Sequence, residues 1–291
     1  MVERQILATR PKFKSHPIRS MSASKTLGLI AGNGKFPFLF ARQARLKDFK
    51  IVAVGIKGDT SFFLRLFVDR FYWVGPGELK KLFEIFRNEG VHDVIMAGQV
   101  NPDNLFDAKF DLDEEFQELF SAMSDRKADT IFAAVADRLK KEGLTLLDST
   151  FLVKNYLAPR GTLTKRGPTE KELADIDFGR GIAKAMGELD VGQTVIVKKK
   201  AIVAIEAMEG TDRAIVRGGG IARQGAVIVK VSKPKQDNRF DIPVIGPRTI
   251  KNMIKVKAGC LAIEAGKTLI IDRIEVVQLA NKANICIVSS D

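Results

Sequence analysis

The chain reads as an α/β protein of two α/β domains, an N-terminal Rossmann-like parallel sheet and a C-terminal mixed α/β domain. Three observations predict this. Short apolar runs of strand length alternate with segments whose apolar residues recur at helical spacing, the pattern of a sheet with covering helices. The length of 291 residues fits two domains at roughly 150 residues each. A Pro- and Gly-containing stretch from Leu157 to Pro168 breaks the periodicity near the middle. The expected organisation is a disordered basic tail over 1–24, a first domain over 25–157 and a second over 158–291.

The elements follow in order. Thr26-Leu27-Gly28-Leu29-Ile30-Ala31 predicts a buried strand, Gly32-Asn33-Gly34 a tight turn, and Phe36 to Leu46 a helix. Lys50 to Ile56 predicts a second strand, Glu78 to Asn88 a helix, and Val91 to Gly98 a third strand ending in glycine. Residues 114–142 predict a helix with acids early and Arg and Lys late, the order that the macrodipole favours. Lys171 to Glu188 is helical. Thr194–Lys198 and Ala201–Ala207 are β-rich runs joined by a basic hairpin-like turn. Glu209 to Ile221 predicts a helix ended by Gly218-Gly219-Gly220. Ala226 to Ser232 predicts a strand that runs into the turn-rich segment Lys233–Gly246. Beyond Pro247 come a helix, strands around Leu261–Glu264 and Leu269–Ile271, a helix, and a last strand at Ile285–Val288.

Composition bounds the function. Hydrophobic residues make up 45%, enough for a sizeable core, and no apolar run approaches the roughly 20 residues of a membrane helix. Secretion is not expected, because no hydrophobic leader core is present. Net charge is +12. Residues 1–24 carry Arg4, Arg10, Lys12, Lys14 and Arg19 against Glu3, and the remainder is still basic. That balance suits an anionic partner: a phosphorylated ligand, an acidic membrane surface or nucleic acid. Cys260 and Cys286 lie in apolar, strand-like contexts and read as buried free thiols. With only His16 and His92 beside them, no zinc site of familiar spacing forms. A metal here would be held by oxygen, which points to a hard cation such as Mg²⁺.

Three constellations carry the chemistry. Gly32-Asn33-Gly34, between a strand and a helix, resembles a phosphate-binding turn. The third glycine of the dinucleotide pattern is replaced by Pro37, and no acid ends the next strand, so an ordinary turn competes with the functional reading. Gly98 is a second point of close approach beyond a strand end. The second constellation is Glu206, Glu209, Thr211 and Asp212. Thr211 as a helix cap is the plain reading, but Glu206 inside an apolar run is costly to bury unless paired or metal-bound. The third is Lys233-Pro234-Lys235-Gln236-Asp237-Asn238-Arg239-Phe240-Asp241-Ile242-Pro243. Its carboxylates Asp237 and Asp241 are candidate cation ligands. Lys233, Lys235 and Arg239 are candidates for neutralising phosphate oxygens. A solvated edge loop is the alternative.

Gly28-Leu29-Ile30-Ala31-Gly32-Asn33-Gly34, Ala97-Gly98, Leu157-Ala158-Pro159-Arg160-Gly161, Ile205-Glu206-Ala207-Met208-Glu209-Gly210-Thr211-Asp212 and Lys233 through Gly246 occur in this order. Together they resemble the LpxI family of UDP-2,3-diacylglucosamine pyrophosphatases of lipid A synthesis, from about Leu27 to near the C-terminus. The resemblance implies two α/β domains with substrate between them, the second of them catalytic. It implies Mg²⁺-dependent hydrolysis to UMP and 2,3-diacylglucosamine 1-phosphate. The family's key aspartate matches Asp241. A Gly-Asp-Asp motif of some members is reduced here to Lys127-Ala128-Asp129, which leaves Asp129 without an assigned role.

The expected site therefore has Asp241 as catalytic residue and Asp241, Glu206, Glu209 and Asp212 as a cage for Mg²⁺. Gly32, Asn33, Gly34, Gly98, Thr211, Lys233, Gln236 and Arg239 are the expected substrate-binding residues. Asp241 as a metal ligand and Asp241 as a general base stay open. The expected partners are the UDP-linked lipid and its lipid product, the inner membrane surface as a peripheral contact of a cytoplasmic protein, and a second copy in a homodimer. Nucleic acid is not expected, because no nucleic-acid-binding motif is present. The competing reading is a nucleotide-sugar or dinucleotide-binding α/β protein without hydrolase activity.

Overall fold

The computed structural model describes residues 26–100, 112–123, 125 and 127–291. The expected tail over 1–24 lies outside the described residues.

The first sheet has five parallel strands in the order β3-β2-β1-β4-β5. They are β1 (Thr26–Ala31), β2 (Lys50–Ile56), β3 (Arg70–Val74), β4 (Asp93–Ala97) and β5 (Thr145–Leu146). Strand order reverses between β1 and β4, and open α/β sheets bind ligands beyond the carboxyl ends of strands at such a point. The central strands are apolar on both faces because helices cover both. Val52, Val54 and Ile56 point to one core, and Ile51 and Ala53 to the other. Helix α1 (Phe36–Arg45) covers one face through Phe36, Phe40, Ala41 and Ala44. Helices α2 (Leu79–Asn88), α3 (Glu114–Ser121) and α4 (Ala128–Lys141) cover the other.

The second sheet is mixed, in the order β6-β13-β11-β9-β7-β8. Its strands are β6 (Gly161–Thr162), β7 (Thr194–Lys198), β8 (Ala201–Ile205), β9 (Val227–Lys230), β11 (Cys260–Glu264) and β13 (Cys286–Ser290). β9, β11 and β13 are parallel neighbours, whereas β7 runs antiparallel to both β8 and β9. Helix α5 (Glu170–Glu188) lies on one face and starts at a capping box formed by Thr169 and Glu172. Helices α6 (Thr211–Ala222), α7 (Pro247–Lys255) and α8 (Arg273–Lys282) fill the other. A short parallel pair, β10 (Val244–Ile245) and β12 (Leu269–Ile270), stands between the sheets. The expected fold of two α/β domains, one sheet parallel and one mixed, is the one found.

Three local expectations change. The helix expected over 114–142 is two helices, α3 and α4. The Gly218-Gly219-Gly220 run does not end α6 but lies inside it. A Cβ on Gly219 would stand 2.2 Å from Val256 Cγ2, so glycine is required there for the close approach of α7's end. Strand β3, Arg-Phe-Tyr-Trp-Val, had no counterpart in the periodic reading. Its side chains are mostly half-buried at the sheet edge, and it lacks the alternation that marks a core strand.

The domains share structure. Leu269 and Ile271 are buried in the same core as Leu27, Phe40 and Ile95 of the first domain, with Ile242 and Val244 packed against it. Phe240 stacks on Phe132 of α4 at 5.6 Å. Ser149 Oγ lies within hydrogen-bond distance of the Met96 carbonyl (2.7 Å) and the Arg239 carbonyl (2.8 Å).

Candidate active site at the domain junction

The segment after β9 leaves the second sheet and crosses to the first domain. Its anchor is Glu264, buried at the end of β11, which accepts hydrogen bonds from the backbone N–H and the hydroxyl of Ser232 (2.6 and 2.7 Å) and pairs with Lys184 at 2.7 Å. Burial pushes the Glu264 carboxyl up, but Lys184 and Ser232 outweigh it and hold it below its usual value. This fixes Ser232 and hence the next residue, Lys233.

Lys233 is the centre of the site. Its ammonium is buried and reaches three carboxylates: Asp190 at 2.5 Å, Asp129 at 2.7 Å and Asp241 at 3.1 Å. Burial alone would lower its pKa. The charge of Asp241 and the hydrogen bonds donated to Asp129 and Asp190 prevail and raise it above the ordinary lysine value. Asp129 comes from α4 of the first domain, and its carboxyl is raised because burial penalises its charge more than Lys233 relieves it. Asp241 is held from a second side. Gln193 Nε2 donates to both of its oxygens at 3.0 and 2.8 Å, and Gln236 Nε2 donates to its backbone carbonyl at 2.7 Å. Gln236 Oε1 accepts from Lys233 N at 2.6 Å, which locks the turn. The side-chain oxygen Oε1 of Gln193 is buried without a hydrogen-bond partner among the described residues. A cleft of about 130 Å³ opens over this cluster, lined by Asp129, Gly187, Glu188, Asp190, Lys233, Pro234 and Lys235.

The expected oxygen cage is not assembled. Glu209 turns back to accept from Ala207 N (3.0 Å) and pairs with Arg217, while Asp212 pairs with Arg248. Glu206 accepts from the Thr211 hydroxyl at 2.7 Å, and that hydroxyl accepts from buried Lys230 at 2.8 Å. Among the described residues no group of three or more His, Cys, Asp or Glu side chains is arranged to hold a metal ion. The physical reason is local: a cation already stands beside each carboxylate of the expected set. The apolar run did signal that buried Glu206 needs a partner, and the partner is a lysine–threonine relay. Its second oxygen lies 4.0 Å from Lys230 Nζ and takes no hydrogen bond.

The glycine turn also differs from its expected use. Gly32 N donates to the Ala97 carbonyl (2.9 Å) and Asn33 N to the Gln99 carbonyl (2.6 Å). Gly98, at φ +93°, closes this contact: a Cβ there would stand 2.6 Å from the Asn33 carbonyl oxygen. The amides of Gly32 and Asn33 are therefore committed to joining the tips of β1 and β4. Gly34 stays exposed at the start of α1. Arg239 grips its neighbour Asp237 through Nε and Nη2 (2.6–3.1 Å), which lowers the Asp237 carboxyl.

The structure thus joins Asp241, Lys233 and Gln236 from the expected set. It adds Asp129, Asp190 and Gln193. Asp190 did carry a sequence signal. It is an acid immediately past the end of a long helix, where the macrodipole disfavours negative charge. Lys230, a lysine inside the apolar strand Val-Ile-Val-Lys, carried one too. Gln193 carried none, since its importance lies in where the turn after α5 delivers it.

Two α/β domains joined at a buried lysine between carboxylates define a two-domain α/β protein with its polar site at the junction. The profile of the LpxI N-terminal domain matches residues 26–156 and that of the LpxI C-terminal domain matches residues 159–288. The chain belongs to the LpxI family. It is 32% identical over 283 residues to UDP-2,3-diacylglucosamine pyrophosphatase LpxI of Caulobacter vibrioides, covering 92% of this chain and 98% of that one. Solved structures align more loosely. A Rhizobium etli pyruvate carboxylase variant is 14% identical at TM-score 0.27, covering 66% of this chain and 15% of that one. A biotin carboxylase from Campylobacter jejuni is 11% identical at TM-score 0.25, covering 68% and 42%.

Proposed function

We propose that this protein hydrolyses the pyrophosphate bond of UDP-2,3-diacylglucosamine, releasing UMP and 2,3-diacylglucosamine 1-phosphate for lipid A synthesis. Near end-to-end similarity to the Caulobacter enzyme supports the reading. The structural observation that carries it is the pairing of a held carboxylate, Asp241, with a protonated, buried Lys233 beside an interdomain cleft.

Phosphoryl transfer to water demands positioning and charge stabilisation more than covalent chemistry. Lys233 supplies a fixed positive charge for a phosphate oxygen. Asp241, its carboxylate plane set by Gln193, accepts the proton of the attacking water. Gln236 keeps both residues in register. The water oxygen bonds to one phosphorus as the bond from that phosphorus to the bridging oxygen breaks, and the bridging oxygen leaves with the electron pair on the other phosphate, which is 2,3-diacylglucosamine 1-phosphate for attack at the uridine-linked phosphorus and UMP for attack at the sugar-linked one.

Magnesium dependence stands as part of this proposal. Three carboxylates against one ammonium leave the cluster negative, and a divalent cation accompanying the pyrophosphate would offset that charge. Glu206, Glu209 and Asp212, expected to cage it, are each engaged by a neighbouring side chain instead. The same reading sets the enzyme in the cytoplasm, working on a lipid at the inner membrane surface. Among the described residues no helix is long and apolar enough to cross a membrane.

The test is UMP release from UDP-2,3-diacylglucosamine by the full chain, with Mg²⁺ and with EDTA. Wild type is expected to turn over, and Asp241→Asn to lose about a hundredfold or more. Equal turnover by Asp241→Asn rejects the assignment of Asp241, and no turnover by wild type rejects the reaction.

A further inference from the structure

The segment between β2 and β3 breaks the rule that large apolar side chains are covered. A single 3₁₀ turn, Phe62–Leu66, buries only Leu64. Phe62, Phe63, Leu66 and Phe67 are 50%, 66%, 63% and 40% exposed. Four large apolar side chains within six residues form a patch of the kind that marks an interaction site.

The patch is tied to the ligand edge of the first sheet. Thr60, which opens the segment, accepts a hydrogen bond from Ile56 N at the end of β2 and donates to the Ala31 carbonyl at the end of β1. Phe67 packs edge-to-face on Phe38, in the first turn of α1, at 5.3 Å. The aromatic turn therefore runs from the carboxyl end of β2, beside Ala31, past Phe38 of α1 to the start of β3, where Asp69 accepts from Ile51 N.

Its surroundings are cationic. The Arg65 guanidinium lies 3.7 Å over the Phe62 ring. Arg42 is exposed one helical turn beyond Phe38 on the same side of α1. Between Lys35 and Arg70 the chain carries eight basic residues against three acids, of which Asp59 is buried and Asp69 accepts from Ile51 N. Aromatic side chains bordered by arginines match the boundary between acyl chains and anionic headgroups.

We propose that Phe62, Phe63, Leu66 and Phe67, with Arg65 and Arg42, form a docking surface for an anionic lipid bilayer, set so that the edge of the first sheet faces the membrane. The inference deepens the reading of the substrate as a diacylated lipid and rests on it for its purpose, but the docking itself needs no substrate.

The test is co-flotation of the full chain with vesicles of phosphatidylethanolamine and phosphatidylglycerol, free of any UDP-lipid, beside vesicles of phosphatidylcholine. Wild type should float with the anionic vesicles and detach as salt rises. The double variant Phe63→Ser/Leu66→Ser should lose roughly tenfold or more of that partition, keep its melting temperature, and keep hydrolysing detergent-solubilised substrate. Equal flotation of variant and wild type overturns the proposal, since binding then lies elsewhere, as in the basic tail. Absence of wild-type flotation also overturns it. So does a wild-type dimer that the double variant converts to monomer without change in flotation, which makes the patch a contact between copies. None of these outcomes depends on UMP release, so failure of the docking surface and failure of the hydrolase assignment are read separately.

Discussion

Lys233 of the second domain and Asp129 of the first stand 2.7 Å apart, joined by an ion pair across the domain junction. The pair is one arm of a cluster in which a single buried cation serves three carboxylates. Removing the cation leaves them facing one another in a low-dielectric setting. Lys233→Met is expected to cost about 3–5 kcal/mol of unfolding free energy at neutral pH, measured by urea denaturation. The sign of the pH dependence follows from the raised lysine pKa. The stabilisation by Lys233 is fully present below the ordinary value of 10.5 and is lost only as pH rises past it toward the folded-state value. Wild type and Lys233→Met should therefore converge in stability on the alkaline side.

Glu264 titrates with the opposite sign. Its folded pKa lies below the ordinary 4.5, so its contribution is present above that value and lost as pH falls through the depressed one. Glu264→Gln should flatten the acid limb of the stability curve below pH 4.5, by thermal melts across pH. Because Glu264 anchors Ser232 next to Lys233, the variant should also lower kcat.

Gln193→Leu removes both side-chain hydrogen bonds to Asp241. If Gln193 only fills space, kinetics should not move. If it orients the carboxylate, kcat should fall by roughly tenfold while KM holds, because a free carboxylate samples unproductive orientations. The second outcome is expected.

The carboxylates once grouped as a cage should separate by experiment. Glu209 and Asp212 form ion pairs with exposed arginines, whose net contribution is small, about 0–1 kcal/mol. Glu209→Ala and Asp212→Ala should each retain activity within about twofold. Glu206→Ala strands buried Lys230 and should cost about 3 kcal/mol in urea unfolding. Equal, large losses of magnesium-dependent turnover in all three variants would restore the cage.

What could be read in the chain follows from how far each signal reaches. β1, β2, β4, β7 and β9 are short apolar runs in sequence, and α1, α2 and α5 show their periodicity within a dozen residues. Such elements are local and were legible. The glycines of α6 were not, because the reason for Gly219 is Val256, which sits just past the end of another helix. Asp241 was legible through its proline-framed turn. The groups that meet around it come from elsewhere: Asp190 and Gln193 from the turn after α5, and Asp129, which shares Lys233 with it, from the other domain. No spacing in the sequence encodes that meeting. The amides of Gly32 and Asn33 looked available until β4 supplied their acceptors.

Leu269 and Ile271 have a consequence for how the molecule is made. They belong by sequence to the second half, yet they complete the hydrophobic interior of the first. Ribosomal synthesis therefore delivers the N-terminal half with a piece of its core missing, and that half waits for some hundred residues more before it can close. A gene cut near residue 158 should yield two fragments that are poorly soluble apart and regain structure on co-expression. The line between the two family profiles divides sequence, not folding.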